Sequence, residues 1–162
     1  QMPGWDCAAA FEVIDPTSFK AAVTVKVEDD VSPMIVLGVA TAWGIMEVPP
    51  KLKKCPDNFA PMHRDGCFKW IGATTGKGWR ICDEDFVRAR GFDNVKEIGP
   101  NPDSRFSVEV SGGRVTFSSG DAQIAVHQLK KRKYYPFVLI CLPEVKVEVK
   151  VLRKRNCSAL DL

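Results

Sequence analysis

Histidine is scarce in this chain: only His63 and His127 occur among 162 residues. They sit in different segments, without the H-x-x-x-H or H-x-H spacing of a zinc site. A metal centre is therefore not expected, and two histidines with no recognisable nucleophile arrangement give no basis for assigning a catalytic residue or a cofactor, so an enzyme is not expected. His63, beside Arg64 and Asp65, reads as part of a solvated turn, and His127 as a titratable group closing a strand. Long apolar runs are also missing. Met34 to Ala40 and Phe137 to Leu142 are strand-sized, far short of the ~18 residues of a membrane span, so a soluble chain with no transmembrane segment is expected. Gln1-Met-Pro-Gly-Trp5 lacks a basic n-region and an apolar h-region, which points to a processed mature form. Gly72-Ala-Thr-Thr-Gly-Lys77 is one residue short of a phosphate loop, and Gly78 stands where a magnesium-binding Ser or Thr belongs. It reads as a surface turn.

What is present is ordinary in proportion. A 45% hydrophobic and 27% charged chain is neither disordered nor fibrous. Its length fits one domain of about 100–200 residues, spanning 1–162 with a loop-rich middle at about 49–82. Six cysteines, Cys7, Cys55, Cys67, Cys82, Cys141 and Cys157, form an even set with no C-x-x-C spacing. That favours an oxidising compartment with up to three disulfides, the alternative being buried free thiols inside a cell. Cys55 and Cys67 flank a turn-rich segment and could bridge locally. Cys141 and Cys157 should not pair, because the strand between them spans roughly 23 Å against a Cα limit of ~7 Å. Asn156-Cys157-Ser158 fits a glycosylation sequon and leans towards secretion.

Alternation supplies the fold class. Val23, Val25 and Val27 share one strand face within Phe19 to Val27, and Met34 to Ala40 reads as a central strand. The intervening Glu28 to Pro33 predicts a hairpin between them. Arg105 to Val110, Arg114 to Ser118 and Ala122 to His127, separated by Ser111-Gly-Gly113 and Ser119-Gly-Asp121, read as a β-meander. In the middle only Cys67 to Ile71 looks like a strand. Asp83 to Arg90 has acids first and arginines last, matching a helix dipole, and Gly91 suits the helix end, so one short helix is expected there. Together these predict a mainly β, antiparallel sandwich or partly closed barrel, stabilised by disulfides.

Cys55-Pro-Asp-Asn-Phe59 followed by Gly66-Cys-Phe-Lys69 resembles the opening of C-type lectin domains, where a short cysteine-bridged hairpin precedes the core. The resemblance covers about a quarter of the chain and stops there. No E-P-N or Q-P-D triplet and no W-N-D-x-x-C follows, so that family's calcium and sugar site is not carried over.

The charge distribution is the strongest functional signal. Lys130, Lys131, Arg132 and Lys133 precede the strand Tyr134 to Ile140, and Arg153, Lys154 and Arg155 follow the strand Val145 to Val151. If the two strands form a hairpin through Cys141 to Glu144, both basic runs share one end of the fold. Removing these seven from the 23 basic residues leaves 16 against 20 acidic ones, so the excess is local. Such a tip, with Tyr134 and Tyr135 adjacent, is expected to bind an anionic extracellular ligand by Coulomb attraction and counterion release. A secreted setting makes a sulfated or acidic glycan the leading partner and nucleic acid an unlikely one. The alternative is a protein-recognition module, a cytokine-like ligand, receptor fragment or secreted effector, that uses edge strands and loop aromatics or meets an acidic protein surface. Trp5, Trp43, Trp70 and Trp79 are the candidate stacking rings, although buried anchoring is the ordinary role of tryptophan.

Overall fold

The computed structural model describes residues 5–27, 34–47, 66–75, 79–83, 96–97, 104–141 and 145–152. The strands are β1 (Trp5–Ala10), β2 (Phe19–Val27), β3 (Met34–Ala40), β4 (Phe68–Thr75), β5 (Trp79–Asp83) and β6 (Lys96–Glu97), followed by β7 (Arg105–Ser111), β8 (Arg114–Ser119), β9 (Ala122–Gln128), β10 (Tyr135–Cys141) and β11 (Val145–Leu152). One short helix, α1 (Ala42–Glu47), follows β3. The strands form a six-stranded sheet ordered β1-β10-β3-β4-β5-β6 and a five-stranded sheet ordered β11-β2-β7-β8-β9. Every pairing is antiparallel. The mainly β antiparallel class holds, and the chain takes the sandwich form with two separate sheets.

The core between the sheets follows from alternation. Val23 and Val25 of β2, Phe106 and Val108 of β7, and Val115 and Phe117 of β8 face Ile35, Leu37 and Val39 of β3 and Ile71 of β4. Residues of the opposite parity in the five-stranded sheet, such as Lys20, Thr24, Glu109 and Thr116, are only partly buried, as expected where one sheet face meets water. The six-stranded sheet differs, because its second face is buried as well. Phe68, Trp70 and Phe137 are at most 6% exposed, and Phe68 meets Phe137 edge to face with centroids 6.1 Å apart. This explains the unbroken apolar run of β3, whose Val36 and Ala40 are as buried as its core-facing residues. Gly38 lies opposite both Trp70 and Phe137, where the two flanking aromatic residues leave no room for a side chain.

Two expected hairpins are not formed. β2 lies in the five-stranded sheet and β3 in the six-stranded one, and β10 and β11 are divided in the same way. Alternation reports which face of a strand is buried, and an arch between sheets satisfies the same alternation as a hairpin within one. The meander β7-β8-β9 does form, with tight turns at Gly112, Gly113 and Gly120, all at positive φ. Gly72 to Thr75 belongs to β4 and is not a turn. Of the expected helix at Asp83 to Arg90, Asp83 closes β5, and the remainder lies outside the described residues.

The described helix is instead α1, which sequence reading missed. Thr41 caps it: the Gly44 N–H donates to Thr41 Oγ1 at 3.3 Å, and the Ile45 N–H donates to the Thr41 carbonyl at 3.0 Å. Gly44 packs on the Phe68 ring so closely that a Cβ would stand 2.5 Å from it. Among the described residues no helix is long and apolar enough to cross a membrane.

Cys67 is a free, buried thiol, so the local Cys55 to Cys67 bridge is not present. The other cysteine side chains lie outside the described residues. A buried thiol reacts only when the site opens. Iodoacetamide should label Cys67 slowly in native protein and rapidly in urea, as read by peptide mass spectrometry; rapid native labelling would contradict its burial.

Candidate functional site

The first basic run forms the connection from β9 of one sheet to β10 of the other. Lys130, Lys131, Arg132 and Lys133 are all exposed. The next residue is not: Tyr134 is 1% exposed and belongs to the core cluster. Tyr134 therefore leaves the set of expected ligand contacts. Its parity explains this, since it shares the strand face of Val138, another core residue. Tyr135 has the opposite parity, pairs with Ala40 on the six-stranded sheet and is partly buried.

Tyr134 holds the basic loop in place. Its O–H donates to the Gly66 carbonyl at 2.6 Å and its oxygen accepts the Lys131 N–H at 3.0 Å. Its own N–H donates to the Pro16 carbonyl at 3.1 Å. At the other end of the loop the Leu129 N–H donates to the Gly113 carbonyl at 2.8 Å. The run of cations is thus fastened at both ends and once within. Gly66, at φ 74°, passes directly beneath it, and a Cβ there would approach Lys130 Cβ to 3.2 Å.

These ties bring three segments together around an open recess of about 400 Å³. Thr17 comes from the turn before β2, Val110 and Gly113 from the β7–β8 hairpin, and Leu129 to Arg132 from the basic loop. The Thr17 turn is ordered by Asp15, whose Oδ1 accepts the Thr17 N–H at 2.9 Å and O–H at 2.7 Å. Loop cations positioned by backbone hydrogen bonds lose less conformational entropy on binding than freely moving ones. Thr17 and Gly113 carried no sequence signal, because only the fold makes them neighbours of the cations.

Arg153, Lys154 and Arg155 lie outside the described residues. β11 ends at Leu152, which pairs with Lys20; the next residue of β2, Phe19, pairs with Val110 of the recess. The strand therefore runs towards the recess end without any hairpin to β10. His127 of β9 stacks edge-on to Phe117 with centroids 6.5 Å apart and faces the core side of its strand, not the basic surface. Trp70 is fully buried and unable to stack on a ligand, whereas Trp43 on α1 is 40% exposed. The Trp5 and Trp79 side chains and His63 lie outside the described residues. Among the described residues no group of three or more His, Cys, Asp or Glu could hold a metal ion.

Tyr134→Phe tests the loop anchor without altering charge. It strips a donor from the Gly66 carbonyl and an acceptor from the Lys131 N–H, at a cost of about 1–3 kcal/mol. Urea unfolding should show that loss, together with weaker polyanion binding. Unchanged stability and binding would mean the loop is held by other contacts.

No family model matches this chain, and no curated protein matches it. Among solved structures, it is similar to a Bacillus subtilis protein of unknown function with a galectin-like fold, over 91% of this chain and 78% of that one, with TM-score 0.46 and 12% identity. Sheep galectin-11, solved in complex with glycerol, is similar over 91% and 100% of the two chains, with TM-score 0.35 and 9% identity. A functionally unknown protein from Saccharomyces cerevisiae is similar over 91% and 72%, with TM-score 0.36 and 15% identity.

Proposed function

We propose that this chain is a secreted, non-enzymatic binding module that recognises an anionic extracellular ligand, a sulfated or acidic glycan, through the basic tip. The observation that supports this reading is the exposure of Lys130, Lys131, Arg132 and Lys133 on a loop pinned by Tyr134 and Leu129. Cations on a loop whose backbone is already pinned suit a polyanion whose charges recur along a chain. Arg153, Lys154 and Arg155 extend the same surface in this reading, and Tyr135 flanks it. Bridges among the cysteines other than Cys67 belong to the proposal too, and non-reducing peptide mapping tests them.

Retention on immobilised heparin, with elution by salt, is the primary test, backed by an array of sulfated and unsulfated glycans. Binding to sulfated members that weakens steeply from low to physiological salt supports the reading. Retention that survives neutralisation of both basic runs would dispose of it.

A second reading, recognition of a protein, is favoured by the exposed Trp43 and Met46 of α1, which is 75% exposed at the latter. They stand at i and i+3, on one helix face. Capture of a protein that resists high salt and is lost in Trp43→Ala would favour apolar contacts over charge.

A further inference from the structure

The recess beside the basic loop is shaped differently from the loop itself, and the difference bears on what is bound. Cations alone line up against a polyanion with little regard for its sugar. The recess adds an open volume of about 400 Å³, near the lower end of the roughly 300–1,000 Å³ typical of small-ligand sites. Its lining is divided by chemistry. Lys130, Lys131 and Arg132 supply positive charge, and the half-buried Leu129 supplies apolar surface above the buried Val110. Gly113 leaves the rim open, since a Cβ built there would meet nothing within 4 Å. Charge together with apolar surface matches a pyranose ring bearing one anionic group, whose ring C–H atoms are apolar while its substituent is charged. Inorganic sulfate offers only the second of these.

We infer that the recess seats a single sugar residue carrying a sulfate or carboxylate, with its anionic group towards Lys131 and Arg132 and its ring against Leu129. This rests on the glycan-binding reading and sharpens it, for a monosaccharide-sized seat selects the end of a chain or a short oligosaccharide over internal stretches of a polymer. The loop ties at Gly113 and Pro16 define the seat before the ligand arrives.

The test displaces wild-type protein from immobilised heparin with N-acetylglucosamine 6-sulfate, with unsulfated N-acetylglucosamine and with inorganic sulfate. Displacement by the sugar sulfate at a concentration tenfold or more below that of inorganic sulfate, with the unsulfated sugar inert, is expected. Equal potency of the two sulfates overturns the inference and leaves charge-driven glycan binding standing. Gly113→Asn separates the two readings further. Asparagine tolerates the positive φ of 74°, and it adds a polar side chain at a residue lining the recess while every cation remains. It should abolish the tenfold preference and keep heparin retention; a preference that persists in the folded variant overturns the seat. Heparin binding itself should weaken roughly 100-fold on replacing Lys131, Arg132 and Lys133 together, and unchanged binding there overturns both readings.

Discussion

Gly38→Ala should destabilise the protein by about 3 kcal/mol or more, above the usual range for one inserted methyl group. The added carbon would stand 2.6 Å from the Lys69 carbonyl oxygen, 2.7 Å from the Phe137 ring and 2.7 Å from Trp70 Cβ. None of these can retreat cheaply. The carbonyl belongs to the adjacent strand β4, Trp70 is 0% exposed and Phe137 is 6% exposed, so relief requires sheet spacing or aromatic packing to change. Against a total stability of roughly 5–15 kcal/mol, the loss is large. At about 2–4 °C per kcal/mol for a chain of this size, the midpoint should fall by roughly 10 °C. Thermal unfolding followed by tryptophan fluorescence measures it. Gly112→Ala is the comparison: its Cβ meets nothing within 4 Å, and only the strain of φ 60° acts, about 1 kcal/mol. A Gly38→Ala midpoint no lower than that of Gly112→Ala would show that the aromatic layer over β3 yields.

The largest functional effect is expected from Lys131→Ala, Arg132→Ala and Lys133→Ala combined. Each cation near an anionic surface is worth about 1 kcal/mol, so three should lower affinity for a sulfated chain roughly 100-fold. The salt dependence should flatten as well, because each lost contact removes nearly one released counterion from the slope. All three residues are exposed, so stability should change by less than about 0.5 kcal/mol. The measurement is affinity for heparin at several salt concentrations, beside a urea unfolding curve. A weaker affinity with an unchanged slope would place the loss elsewhere than in ion pairing.

Eight of the eleven described strands were legible, but β1, β5 and β6 were missed, the last two in or after a middle segment where only Cys67 to Ile71 looked like a strand; strand partnership was not legible. β2 and β3 begin and end where alternation and apolarity place them, and the meander follows its glycine turns. The two strand-to-strand connections at 28–33 and 142–144 were misread because a short polar turn can reverse a chain within a sheet or carry it across the roughly 10 Å between two. α1 escaped notice because the apolar run of β3 continues into Ile45 and Met46, and only the Thr41 cap marks the change. In the candidate site the cations stood out in the sequence as a charge run, whereas the role of Tyr134 depended on parity with Val138. Thr17 and Gly113 depended wholly on tertiary placement.

The division of β2 from β3 and of β10 from β11 has a consequence for synthesis. Lys20 pairs with Leu152 and Trp5 with Cys141, so both sheets hold a strand from near the start beside one from near the end. Neither sheet can be completed by an emerging nascent chain until the late strands have left the ribosome, and until then the early strands present open edges. Such wide loop closures slow folding, which makes chaperone dependence during translation an expected trait of this architecture.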